Sequence, residues 1–277
     1  MTKKSAQEIF WNTDGGSRWV QDIDRLEAML LSLSEKLITE VAATRGEHIL
    51  DIGCGGGVTS AALAAATGPD GQVLGADISG VILDVAKARY THVTNLNFTA
   101  ADAAHYAFEA GRYDVITSRF GVMFFPEPDV AFANLFRAGK SGGRIVFICW
   151  RGLAENPWMG APAAAAFAVV PPPEKPAPGA PGAFSLANAA HVKQIMDDAG
   201  FTDIKLSPID EMLNLGELDA ALDFMTELGP AAEPLREATD EQRIAAIAAM
   251  RVAMNDYDTD RGLVMPSAVW LVEARIP

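Results

Sequence analysis

The chain has 277 residues, 49% of them hydrophobic and 21% charged, which supports one large folded domain with an elaborated cap and leaves little room for long disorder. Its formal charge is −14, and residues 201–277 alone hold 15 acids against 6 bases, so a nucleic acid would be repelled on average and is not expected as a partner. No apolar run approaches the ~20 residues that span a bilayer, so no membrane partner is expected, and two cysteines are too few for a disulfide framework or a four-thiolate zinc site.

The first residues, Met-Thr-Lys-Lys-Ser, lead to Trp11 and a polar turn instead of a signal-peptide core, so a cytoplasmic location is expected. Asp14-Gly15-Gly16-Ser17 reads as a turn and cap. After it, Trp19, Ile23, Leu26, Leu30 and Leu33 recur at spacings of four and three, with Asp22, Arg25 and Glu27 off that face, and predict one amphipathic helix. Residues 1–45 are thus expected to form a helical cover.

From Ile49 the pattern alternates. An apolar strand runs into Gly53, Gly55 and Gly57, a bend whose bare backbone can approach a ligand. An alanine-rich helix from Val58 to Ala66 follows, then a strand from Gln72 to Asp77. Ser79 caps a helix through Ala88, and strands follow at Leu96 to Thr99 and Tyr113 to Ser118. Pro128 suits the first turn of a helix carrying Phe132, Leu135 and Phe136. Lys140 to Phe147 reads as a turn and a fifth strand. Such alternation predicts a parallel sheet with right-handed crossovers.

Residues 151–186 break the pattern with Pro171-Pro172-Pro173, Pro176, Pro178 and Pro181, a run that cannot be regular helix. Trp150 and Trp158 flank its start. A second insertion, residues 210–265, contains two helical stripes, one of Leu218, Ala221, Leu222, Met225 and Leu228 and one of Ile244, Ile247, Met250 and Met254. Thr239 and Gln242 form a capping-box signature for the latter.

The dinucleotide fingerprint needs a third glycine where this chain has Val58. The spacing G-x-G-x-G, with Asp51 just ahead, instead resembles the first motif of class I S-adenosylmethionine (SAM) dependent methyltransferases. Asp77 closing the second strand, Ala101-Asp102-Ala103 after the third, and the fourth and fifth strands match that family in order. The resemblance covers roughly residues 46–150, the SAM-binding core, and extends in outline to the rest. It looks most like the branch holding the ubiquinone and menaquinone C-methyltransferases.

That resemblance implies an α/β fold, a doubly wound, mostly parallel seven-stranded sheet whose last strand is antiparallel, plus a helical lid. Thr202 to Leu206 and Ser267 to Ile276 would be the remaining strands, so residues 187–209 and 266–277 complete the sheet. Residues 151–186 become a Pro-rich lid loop and residues 210–265 a substrate lid. SAM is the implied cofactor. The backbone of Gly53, Cys54, Gly55 and Gly57 would face its methionine part, below Asp51, and Asp77 would accept both ribose hydroxyls. Ile78 would lie on the adenine, Asp102 and Ala103 would read its amine, and Trp19, Ser118 and Phe120 would complete the cofactor site.

The apolar segment Ser118 to Pro126 is expected to line the acceptor pocket, with Arg119, Met123, Phe124, Trp150 and Trp158 touching the substrate. A dry aromatic cavity suits displacement at a sulfonium. His48, His92, His105 and His191 lack a partner at telling spacing, so no catalytic base is assigned, and no metal-ligand pattern is present. The partner is then a small, substantially apolar methyl acceptor, with a homodimer left open as the assembly. Two alternatives stand beside it: an NAD(P)-dependent oxidoreductase on the same kind of sheet, although no Tyr-x-x-x-Lys pair is recognisable, and a non-catalytic SAM-binding protein.

Overall fold

Residues 4–174, 177 and 179–277 are described by the computed structural model. The first three residues, with Pro176 and Pro178 of the proline run, lie outside them. The amino-terminal cover is four short helices: α1 (Ala6–Trp11), α2 (Asp14–Gln21), α3 (Ile23–Met29) and α4 (Leu31–Val41). The single amphipathic helix expected there is corrected to three, because the backbone leaves helical geometry at Asp22 and Leu30. The expected turn Asp14-Gly15-Gly16-Ser17 is also corrected: it is the first stretch of α2. A Cβ on Gly16 would sit 2.0 Å from the Trp11 carbonyl oxygen, so the missing side chain lets α2 fold back against α1.

β1 (His48–Ile52) is sealed on both faces, with Ile49 and Leu50 wholly buried, as a strand flanked by helices on both sides must be. The chain then alternates through α5 (Val58–Thr67), β2 (Gln72–Asp77), α6 (Gly80–Arg89), β3 (Leu96–Ala100), β4 (Tyr113–Arg119) and α7 (Pro128–Ala138). Ser79 caps α6 by accepting from Ile82 N, and Pro128 opens α7, both as the sequence implies. β5 (Gly139–Trp150) ends the parallel run. Its Phe147, with Phe132 of α7, is among the largest wholly buried side chains of the core.

Three more elements lead to the sheet's far edge: α8 (Pro157–Phe167), α9 (Ala189–Ala199) and β6 (Thr202–Asn214). Then come α10 (Leu218–Leu228), α11 (Ala232–Glu237), α12 (Asp240–Asn255), the short β7 (Asp258–Thr259) and β8 (Gly262–Arg275). The strand order is β3-β2-β1-β4-β5-β8-β6, with β7 beside β8. β8 alone on that path runs antiparallel, to both β5 and β6. The expected doubly wound sheet of seven strands with an antiparallel last strand is therefore present, with β7 as an added ribbon.

Three details differ from the sequence reading. Residues 151–186 contain α8, which starts at Pro157 and tolerates Pro162 inside, while Pro171-Pro172-Pro173 stays non-helical. The last strands are longer than expected, because β6 continues to Asn214 and pairs with β8 as far as Val264. In α12, Ala246, Met250 and Met254 form the buried stripe, whereas Ile244 is 70% exposed. That helix packs mainly on α8, and α10 packs on α12 and reaches α2.

Asn156, wholly buried between β5 and α8, holds this half together. Its Nδ2 donates to the carbonyls of Arg151, Gly152 and Ala268, and its Oδ1 accepts from Ala268 N and Trp158 Nε1. Removing it strands several buried backbone groups at once. Asn156→Ala is expected to lower unfolding stability by about 2–3 kcal/mol, read from urea denaturation, and an unchanged midpoint would deny it that role.

Candidate active site

The strand order reverses between β1 and β4, and there the carboxyl ends of the two strands separate into a crevice. Gly53 N and Cys54 N both donate to Ala76 O, at 2.7 and 3.2 Å, which turns the glycine loop sharply out of β1. Gly121, after β4, meets that loop from the other side. A Cβ on Gly53 would fall 2.6 Å from Gly121 Cα, and one on Gly121 2.7 Å from Gly53 Cα. Two bare backbones therefore form the floor.

Asp51 lies beneath the floor, 1% exposed. Its Oδ2 accepts from Ser60 Oγ of α5 at 2.6 Å, while Oδ1 is buried without a hydrogen-bond partner. Burial pushes this carboxyl up to about 7, against the pull of Ser60 and of the Arg119 guanidinium.

Asp77, at the tip of β2, accepts from Gly55 N through Oδ2 and from Ser79 N through Oδ1, both at 2.9 Å. Burial raises its pKa above the ordinary carboxylate value, and the backbone N–H groups of Ser79, Gly55 and Ile78 oppose that rise. The next loop is clamped to the cover. Asn12 Nδ2 donates to Ile78 O and its Oδ1 accepts from Gly80 N, each at 2.9 Å, while Ser79 Oγ donates to Trp11 O at 2.6 Å.

The remaining walls are aromatic. The Trp11 ring meets Trp19 edge-on at 5.7 Å and Phe124 at 5.2 Å. Phe120 adopts a left-handed backbone, φ +66°, and its ring stacks on Trp150 at 4.2 Å and 11°. A non-glycine residue held there stores strain of the kind found at ligand sites.

The cleft brings together most of the residues singled out in sequence. Trp19, Gly53, Gly55, Asp77, Ile78, Asp102, Ala103 and Phe120 of the cofactor set line it, as do Arg119 and Phe124 of the substrate set. One oxygen of Asp102 already accepts from Ala104 N at 3.0 Å, forming a turn within its own loop. Arg119 Nη1 donates to Ser34 Oγ of α4 and pairs with Glu27 Oε2 of α3, both at 2.6 Å.

Seven others do not line it. Asp51, Cys54 and Gly57 sit behind the glycine loop, Gly57 opening α5 against the Phe98 ring. Ser118 Oγ turns back to accept from Gly121 N. Met123 is 1% exposed, its sulfur accepting from Trp150 N. Trp150 and Trp158 form a second layer behind Phe120 and support the wall without reaching the crevice. The lining also lacks any residue of the two insertions expected as lids. Gln7, Trp11, Gly121, Phe125 and Pro126 take their place. Trp11, Gly121 and the aromatic run carry a signal of this in sequence; Gln7 and the clamping Asn12 carry none.

His105 pairs with Glu127 at 2.9 Å, both side chains more than half exposed, on the two loops that rim the cleft beside Asp102 and Pro126. It closes the rim and does not line the interior.

Residues 49–143 match the family model of a methyltransferase domain. Over that stretch the chain is similar to a methyltransferase domain. A demethylmenaquinone methyltransferase of Lactococcus lactis subsp. lactis is 30% identical over 155 residues, which are 53% of this chain and 59% of the relative. One from Staphylococcus aureus is 32% identical over 112 residues, 40% of this chain and 46% of the relative. The chain thus spans less than two thirds of the length of either. Phosphoethanolamine N-methyltransferase 2 of Haemonchus contortus, crystallised with S-adenosyl-L-methionine, shares the fold with a TM-score of 0.61 at 17% identity, over 99% of this chain and 60% of that one. The 4+2 cyclase SpnF does so at 0.51 and 19%, over 89% of this chain and 81% of its own. Methyltransferase architecture therefore hosts more than one chemistry, and activity has to be argued from the cleft.

The Asp51 carboxyl makes the domain's stability depend on pH. Its pKa stands at about 7 in the fold against an ordinary 3.8, so its stabilising contribution is complete below 3.8 and is lost as pH rises through 7. Asp51→Asn removes that loss. Between pH 5 and pH 8 the variant should gain about 1–3 kcal/mol relative to wild type, measured by urea unfolding at both values; parallel stabilities would show the carboxyl to be ionised throughout.

Proposed function

We propose that this chain is a SAM-dependent methyltransferase acting in the cytoplasm on a small, substantially apolar metabolite. The observation that carries it is Asp77, an acid at the tip of β2 beside a bare glycine loop at the topological switch point. The cleft fits the cofactor. Its floor is two backbones where any side chain would intrude, its acid sits one strand away, and an apolar wall with a polar edge lies beyond.

In this reading the backbone of Gly53 and Gly55 holds the methionine part, and the Asp77 oxygens, already fixed by Gly55 and Ser79, accept from the ribose hydroxyls. Ile78 covers the adenine face, while Asp102 and Ala103 meet its polar edge. Bound SAM supplies a methyl group on a sulfonium for in-line displacement. The chain's own part is positioning and exclusion of water: Trp11, Trp19, Phe120 and Phe124 surround the crevice with rings, which favour dispersed positive charge. Aligning acceptor, methyl and sulfur is worth up to ~7–11 kcal/mol in oriented model systems, so no dedicated base is assigned.

The acceptor would enter between α1 and the Phe124 loop, and the demethylmenaquinone relatives support a planar apolar molecule as its class. A homodimer is the assembly we propose. The NAD(P)-dependent alternative gains no support, since Val58 begins α5 where that fingerprint packs a glycine.

Incubation with methyl-labelled SAM and an extract of the source cells, followed by mass spectrometry of small molecules, tests the reaction. Label in an apolar metabolite is expected; tight SAM binding with no labelled product would favour a non-catalytic binding protein. At the site, Asp77→Asn should weaken binding of SAM more than about tenfold by calorimetric titration, whereas equal affinity would remove Asp77 from the site. Phe124→Ala should reduce acceptor turnover with SAM affinity retained, and lost folding would assign the ring to the core.

A further inference from the structure

Arg119 ends β4 with its side chain only 8% exposed, yet it lines the cleft. Burying a guanidinium is expensive unless its donors are met, and its planar fork presents five of them in fixed geometry. Here one end alone is engaged. Nη1 donates to Ser34 Oγ and stands in ion-pair contact with Glu27 Oε2, which accepts no hydrogen bond, and among the described residues Nε and Nη2 donate to no protein acceptor, although neither is sealed from solvent. The unused edge is the one that binds a carboxylate through two parallel hydrogen bonds.

Its position says which carboxylate. β1 and β4 pair in parallel with Asp51 opposite Thr117, so Arg119, two residues on, stands beside Gly53 at the start of the glycine loop. Charge agrees. Around this end stand Asp77 and Glu27 against the one guanidinium, a set complementary to a ligand with more positive than negative charge whose single anionic group meets the arginine. SAM has that pattern, with an ammonium, a sulfonium and one carboxylate.

Building on the function proposed above, we propose that Arg119, through Nε and Nη2, anchors the carboxylate of the cofactor's methionine part and not an anionic acceptor. Glu27 and Ser34 are positioning residues: one by charge and the other by a hydrogen bond, they hold Nη1 from α3 and α4 and leave the Nε–Nη2 edge for the ligand. The amino-terminal cover thereby contributes to cofactor recognition as well as to the roof.

The test compares SAM with its decarboxylated analogue, which keeps sulfonium, amine and nucleoside, by calorimetric titration of the full chain. Wild type should prefer SAM by about thirtyfold, and in Arg119→Gln that preference should fall below about threefold while affinity for the analogue holds. Arg119→Lys keeps the charge opposite Glu27 but not the fork, and should fall between; it also serves if the glutamine variant fails to fold. A preference that survives in both variants overturns the anchor, as does an equal loss for both ligands, which would make Arg119 purely structural. Wild type that binds both ligands equally refutes the anchor and leaves the cofactor reading intact. Wild type that binds neither refutes the cofactor reading, and the anchor with it.

Discussion

Everything in the crevice depends on two stretches of main chain touching where β1 and β4 end. Because Gly53 and Gly121 lie against each other without side chains, the two strands stay in register to their tips and the glycine loop is held from both sides. Any side chain at either position would push the loops apart and displace what stands on them: Asp77, which holds the loop from β2, and Phe120, whose left-handed backbone is fixed between Ser118 and Gly121. Core packing alone would leave this floor loose; the close approach makes it rigid.

A second dependence runs from the floor to the roof. α3 and α4 supply Glu27 and Ser34 to the arginine at the end of β4, while the α1–α2 corner is tied to the β2–α6 loop by Asn12 and Ser79. The Ser79 hydroxyl accepts from Ile82 N and donates to Trp11 O, so one atom both starts a helix and secures the cover. The large insertions contribute differently. Packed on α8 and against one another, they widen the sheet's far side and leave the crevice walls to the amino terminus and the β4 loop.

Much of the fold was legible because parallel strands covered on both faces write themselves as apolar runs, and because glycines, Ser79 and Pro128 mark their own boundaries. The strand and helix order from Ile49 to Phe147 was read nearly as it stands. The amino-terminal helices are less legible, because an apolar repeat does not show bends at Asp22 and Leu30 and a glycine pair signals a turn as readily as a close helix contact. At the candidate site, residues set by backbone position came forward in sequence, Gly53, Asp77 and Ile78 among them. Residues set by tertiary approach did not. Asn12 reaches over 66 positions to Ile78, and an aromatic ring near a strand end reads the same whether, like Phe120, it lines a wall or, like Trp150 and Trp158, backs it.

One feature of the roof bears on how a ligand arrives. α1 buries none of its side chains, its Ile9 and Phe10 are about half exposed, and it is retained by the Trp11 edge contacts and a few hydrogen bonds around Asn12. Detaching such a segment costs a small fraction of the global unfolding free energy and leaves the sheet untouched. Its amides should therefore exchange with solvent far sooner than those of β1 or β4. The crevice is thus walled on this side by a six-residue helix that has no buried side chain of its own.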